Sequence, residues 1–174
     1  TAKEQFPFTP LWKGEASSID TAALNKRQTY IPFKEILSPI ERNYDYAILD
    51  TPPSLSIVTI SALQSADYVI VPALADRYSE TAIRQLHEII KDTKAKLVCL
   101  IVNKWNKRSI INQECYKTIE ALAKQYKTKV FTVREGVAIR EAQYSGEPSI
   151  FKYDSKSVAA LDYKEVFDAI AKDI

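Results

Sequence analysis

The sequence predicts an α/β fold: a mostly parallel, twisted sheet with helices on both faces. Three observations carry that prediction. Short, nearly continuous apolar runs rich in β-branched residues recur along the chain, as in strands buried on both faces. Stretches of helical, amphipathic period lie between them. The two kinds alternate, which is the order of a parallel sheet whose strands are joined by crossover helices.

Residues 1–30, with Pro7, Pro10 and mixed polarity, are the least regular part and are expected to be loop or an incomplete element. YAILD (46–50) is the first expected strand, DYVIVP (67–72) the second, KLVCLIVN (96–103) the third and KVFTV (129–133) the fourth. A helix is expected to begin near Ser54. SETAIRQLHEIIKDT (79–93) is read as a helix with Ser79 as its N-cap and Ile83, Leu86, Ile89 and Ile90 on one face. SIINQECYKTIEALAKQY (109–126) sets Ile111, Cys115, Ile119 and Leu122 on another. KSVAALDYKEVFDAIAKDI (156–174) closes the chain with Val158, Leu161, Val166, Ile170 and Ile174. No repeat, low-complexity tract or interior linker interrupts the series, so residues 1–174 are read as a single α/β domain.

The composition narrows the function classes. A chain of 174 residues has room for one proper core, and 46% hydrophobic with 26% charged residues is ordinary for a globular protein. The net charge of +2 does not argue for nucleic acid, so any DNA surface must be a local patch. The longest apolar runs stop far short of a membrane span. TAKEQFPFTP at the start has neither the basic opening nor the apolar run of a signal peptide. The expectation is a cytoplasmic protein without membrane attachment. Cys99, in an apolar run, and Cys115, in a helical pattern, do not form a disulfide or zinc motif and are read as two reduced thiols.

Two absences are more pointed. There is no methionine, which suggests a processed or shortened chain. There are three glycines, Gly14, Gly136 and Gly146. A phosphate loop of the form GxxxxGK[ST] needs two glycines five apart with lysine after the second, and no pair here has that spacing. The sequence contains no standard phosphate loop.

Candidate chemistry gathers at the ends of the expected strands, where α/β sheets bind ligands. Asp50 ends the first. A carboxylate there can hold Mg²⁺, usually through water, beside a bound triphosphate. Thr51-Pro52-Pro53 then makes a stiff corner, with φ fixed at both prolines, suited to turning the presence of a γ-phosphate into movement of the following helix. The plainer reading makes Asp50 the cap of that helix. Asn103 ends the third strand, and its amide can offer one acceptor and two donors to a purine edge; the plainer reading is a loop asparagine bonded to its own backbone. His87, the lone histidine, falls at a polar helix position and is expected to face solvent. The ten tyrosines are scattered and read as packing. Arg134, Arg140, Lys152 and Lys156 fall within twenty-three residues and could neutralise DNA phosphates without reading bases. Glu135, Glu141, Glu147 and Asp154 lie among them and dilute the field.

Together these motifs resemble a family. NYDYAILDTPPSLSIVTISALQSADYVIVP is similar to the stretch of ParA-type ATPases that runs from the second Walker motif through the next strand. ADRYSETAIRQL follows where those proteins have an acidic-aromatic turn and a helix, and LIVNKWN sits where they place a base-contacting asparagine. VREGVAIREAQYSGEPSIFKYDSKSVAALDY resembles their closing segment. The D-T-P-P piece is shared with MinD and bacterial tyrosine kinases; the closing segment points to the ParA/Soj partition proteins. The resemblance covers roughly residues 30 to 174.

The resemblance implies a P-loop NTPase-like fold of the deviant Walker type, ATP and Mg²⁺ as cofactors, and an ATP-dependent homodimer. It also implies non-specific DNA binding by that dimer on the bacterial nucleoid, and hydrolysis stimulated by a ParB-type centromere-binding protein. By position, Asp50 would be the catalytic carboxylate that holds the magnesium and its water network, with Thr51 beside it and Thr51 to Pro53 as the switch. Asn103 would contact adenine, and Val133 and Arg134 would form part of the adenine-side loop. Arg134, Arg140 and Lys156 are the candidates for the DNA face.

The departure from the family is that its first strand, its phosphate loop and its second strand should lie upstream of D-T-P-P. Only 49 residues precede Asp50, and these parts are not among them. KGEASSIDTAALN (13–25) echoes a phosphate loop but lacks its second glycine and its lysine. Hydrolysis by these 174 residues alone is therefore not expected, and the favoured account is a partition ATPase whose N-terminal nucleotide-binding portion is missing. A different class, a non-catalytic relative that binds DNA or a partner without turning over ATP, is the alternative. A MinD-like membrane-cycling ATPase ranks last, because the tail EVFDAIAKDI has three acids to one lysine where lipid binding asks for a basic amphipathic helix.

Overall fold

The computed structural model describes residues 33–147 and 149–174. The stretch read as irregular, 1–30, and the fragment KGEASSIDTAALN lie outside the described residues. Among the described residues three strands, β1 (Tyr68–Leu74), β2 (Lys96–Trp105) and β3 (Lys129–Arg134), form a parallel sheet in the order β1-β2-β3. The helices are α1 (Phe33–Leu37), α2 (Ile57–Ser65), α3 (Arg77–Lys91), α4 (Ile110–Gln125), α5 (Val137–Ser145), α6 (Ile150–Tyr153) and α7 (Val158–Ile170).

Side-chain alternation along β2 builds a core on each face, because successive residues of a strand point to opposite sides. Leu100 and Val102 join Ile83 and Ile90 of α3 and Ile119 and Leu122 of α4 in the larger cluster. Val98, Cys99, Val133, Val166 and Ile170 form the smaller one, between β2, β3 and α7, with the adjacent Val98 and Cys99 both in it as an exception to the alternation. Helices therefore cover both faces, as the alternation predicts. Of the expected helix faces, Leu86, Ile89 and Cys115 pack against the larger core, whereas Ile111, Val158 and Leu161 are more exposed than buried or nearly so, at 65%, 45% and 53%. In α7 it is Ala159 and Ala160, each 1% exposed, that face inward, so Val158 and Leu161 fall on the outer side of the same turn.

The expected strand over 46–50 does not form. Those residues belong to no helix or strand, and Ile48 is 92% exposed. An apolar run becomes a strand only where neighbouring backbone takes up its N–H and C=O groups, and no described residue pairs with it. β1 shows the same incompleteness: β2 lies along one edge, and Tyr68, Ile70 and Leu74 remain over 40% exposed.

Caps set where the helices start. α3 begins three residues earlier than the expected cap at Ser79 implies, because Asp76 Oδ1 accepts the N–H groups of Tyr78 and Ser79 at 3.0 and 2.9 Å. Ser79, the expected cap, instead accepts the N–H of Leu74. α4 ends in a left-handed turn at Lys127 (φ 55°), with Thr128 N–H donating to Ala123 O at 2.9 Å. The Thr128 hydroxyl lies within hydrogen-bonding range of the carbonyls of Leu97 and Val98 (3.1 and 2.9 Å), tying this turn to β2. No helix among the described residues is long and apolar enough to cross a membrane.

Candidate functional site at the carboxyl edge of the sheet

β1, β2 and β3 run in the same direction, so the loops that follow them gather at one edge. Gln64, at the end of α2, lines the same open cleft as Lys91, Asp92, Thr93 and Lys94 after α3. The C-terminal ends of α2 and α3 thus meet at the opposite, amino edge, and the Ser56 end of α2 is directed to the carboxyl edge with the start of α3.

Asp50 is exposed, as are Thr51, Pro52 and Pro53. The plainer reading of Asp50 as a helix cap does not hold. α2 starts at Ile57, and the side chain of Ser56 accepts the N–H of Thr59. Ser54 contributes its carbonyl, which accepts the Thr59 hydroxyl at 2.7 Å. Asp50 makes no hydrogen bond or ion pair with any described residue.

Asn103 sits in β2, two residues before its end. Its Oδ1 accepts the N–H of Lys104 at 2.9 Å, where the backbone turns left-handed (φ 51°) and the pairing with β3 shifts register. This is the bond to neighbouring backbone that the plainer reading gives Asn103, made from within β2 and not from a loop. The bond uses the acceptor and leaves the Nδ2 donors without a described partner.

Val133 is fully buried in the smaller core. Arg134 is committed to α7: its backbone N–H and its Nε donate to Asp162 Oδ2, both at 2.9 Å, and its Nη2 to Oδ1 at 2.6 Å. These hydrogen bonds from the guanidinium hold the Asp162 carboxyl below the usual carboxylate range and raise Arg134 above its own. Arg134 therefore reaches the carboxyl edge as half of an ion pair, which sets it apart from Arg140, Lys152 and Lys156. Those three are exposed and make no ion pair among the described residues.

A group of cations that sequence reading passed over lies in the turn between β2 and α4. Lys104, Lys107 and Arg108 are exposed and form no ion pair among the described residues. The turn is well braced. Asn106 Oδ1 accepts the N–H of Arg108 at 2.9 Å, Asn112 Oδ1 accepts the N–H of Asn106 at 3.1 Å, and Gln113 Nε2 donates to Lys107 O at 2.7 Å. Asn112 Nδ2 also donates to Ala75 O at 3.3 Å, fastening this turn to the one after β1 that carries exposed Arg77. The available signal was three cations in the five residues KWNKR, with asparagines that brace the turn.

Fold and edge together define an α/β protein with a parallel sheet covered by helices on both faces. The profile of the AAA domain family (AAA_31) matches residues 15–103, just over half of the chain, and the chain belongs to that family. It is 28% identical over 152 residues to the sporulation initiation inhibitor protein Soj of Bacillus subtilis, covering 83% of this chain and 57% of Soj. It is 27% identical over 165 residues to the chromosome partitioning protein ParA of Myxococcus xanthus, covering 90% and 56%. Among solved structures, the cell division ATPase MinD of Pyrococcus furiosus aligns with a TM-score of 0.68 at 21% identity, covering 83% of this chain and 60% of MinD. Apo McdA of Cyanthece aligns with a TM-score of 0.68 at 19% identity, covering 79% and 57%. These two likenesses bear on the fold. The chain spans a little over half the length of Soj and ParA.

Proposed function

We propose that the chain is the switch and DNA-contacting part of a ParA-type partition ATPase. In this reading the complete protein binds ATP and Mg²⁺ at the carboxyl edge, forms an ATP-dependent homodimer, and holds DNA without regard to sequence. A ParB-type partner stimulates its hydrolysis, and its place is the bacterial nucleoid. The observation that carries the reading is Asp50. It stands directly before Thr51-Pro52-Pro53 and α2, its carboxylate is uncommitted, and the cap it was a candidate to supply is made by Ser56.

An exposed carboxylate is a suitable hard oxygen donor for Mg²⁺, so the residues present fit the ion. Bound Mg-ATP would supply the transferable phosphoryl group and a cation to offset its charge. Asp50 would hold the water network around the cation. Thr51, Pro52 and Pro53 would pass its state to α2, because a corner with two fixed φ angles moves as a unit. Asn103 would offer its Nδ2 donors to a purine acceptor, with Arg134 at the end of the neighbouring strand; Val133, fully buried in the smaller core, supports that strand and does not face the base.

The DNA face is best assigned to Lys104, Lys107 and Arg108, with Arg77, Arg140 and Lys156 as further candidates. Cations free of ion pairs can displace counterions from phosphates, whereas Arg134 already serves Asp162. Asp50→Ala in the complete protein should abolish partner-stimulated ATP hydrolysis and leave the circular dichroism spectrum unchanged. Unchanged turnover would remove the role given to Asp50.

A further inference from the structure

We infer that Asp162 is a positioning residue for base recognition: through Arg134 it holds the turn after β3 against the end of β2, where Asn103 stands. The inference rests on the nucleotide reading above and adds to it a residue on α7, far from the motifs that carried that reading.

Asp162 is a carboxylate at 9% exposure on a helix whose other buried residues are Ala159, Ala160, Val166 and Ile170. A charge in such a place is costly unless fully partnered. All three of its hydrogen bonds come from one residue, Arg134, and one of them is from the Arg134 backbone N–H. Packing α7 on β3 does not require this. Only the carboxylate is buried, the Arg134 side chain being 49% exposed, and a pair open to solvent on one side adds little stability by itself. What the pair adds is location, because a guanidinium fork and a backbone donor converging on one carboxylate leave little freedom to the peptide at position 134.

That peptide is the last of an edge strand, just past the register shift that sets Arg134 opposite Trp105. The next link is long: Glu135 N–H donates to Trp105 O at 3.4 Å. Two residues before Trp105 is Asn103, whose Oδ1 bond to Lys104 N–H fixes which side of its amide is free. The chain of contacts runs from Asp162 to Arg134, to the turn at Glu135 and Gly136, and to the strand end that presents the Asn103 donors. Gly136 in turn packs near α7, with Ala159 Cβ 3.4 Å from where a Cβ at Gly136 would lie. α7 thus holds both sides of the turn that is joined to the strand end carrying Asn103.

The test is a calorimetric titration of the complete protein and two variants with Mg-ATP and with Mg-GTP. Asp162→Asn keeps the shape and one acceptor but removes the charge. Arg134→Lys keeps a countercharge over Asp162, so it remains informative if the first variant fails to fold. Each folded variant should bind Mg-ATP about tenfold more weakly, corresponding to about 1.4 kcal/mol, while Mg-GTP binding changes less, so that the preference between the bases narrows. Unchanged affinities in folded variants, or equal weakening for both nucleotides, would overturn the inference and leave the pair a purely structural one. If the unsubstituted protein binds neither nucleotide, the nucleotide reading itself fails and the inference goes with it.

Discussion

His87 on α3 lies flat against Tyr126 at the end of α4, with ring centroids 3.5 Å apart and planes 9° from parallel. The sequence places this histidine in solvent; instead its Nδ1 is buried without a hydrogen-bond partner. Burial pushes its pKa below the ordinary value of 6.5, nearby Lys91 pushes it the same way, and Glu88 opposes them. A protonated His87 would carry a buried N–H with no acceptor.

The folded state therefore binds this proton less readily than the unfolded state, and stability should fall as pH drops below about 6.5 towards the folded value. Thermal melts at pH 7.5 and 5.5 measure the loss. His87→Phe, which retains a ring against Tyr126, should shrink the difference between the two melts. An equal difference in that variant would show that other groups cause it.

Lys127 holds a left-handed backbone at the end of α4, a conformation that costs a residue bearing Cβ. Lys127→Gly should stabilise the protein by about 0.5–1 kcal/mol, and Lys127→Val should lower stability, since a β-branched residue is a worse fit there. Urea unfolding midpoints of the three proteins should fall in the order Gly, Lys, Val.

Asp76 is the sole side chain that caps α3, and it takes two backbone N–H groups. Asp76→Ala should cost about 1 kcal/mol, seen as a melting temperature lower by about 2–4 °C. Ser79→Ala, which loses the bond from Leu74 and not the cap, should cost less.

Lys107 and Arg108 project from a turn braced by Asn106, Asn112 and Gln113. Reversing both charges in the complete protein should weaken binding to any duplex alike and reduce the slope of log K against log salt by about 2. Arg134→Glu should act differently, because it breaks the pair with Asp162 and lowers stability. A loss confined to one DNA sequence would contradict non-specific phosphate contact.

The sequence by itself determined what depends on local pattern and on motif. β-branched apolar runs marked β1, β2 and β3 to within two residues at either end, and helical periodicity marked α3 and α4 with most of their buried residues and α7 with Val166 and Ile170 but not Ala159, Ala160 or Asp162. The order of motifs from Asp50 to Tyr163 identified the family. Tertiary structure alone decided what depends on a neighbour. The run at 46–50 has strand composition and forms none among the described residues, because strand hydrogen bonds belong to a pair of segments. Arg134 reads as a surface cation until Asp162, twenty-eight residues later, comes beside it. His87 reads as solvated until α4 returns Tyr126 to its face. A residue's type and spacing set its capacity to bond, but only the packed chain sets which partner is within reach.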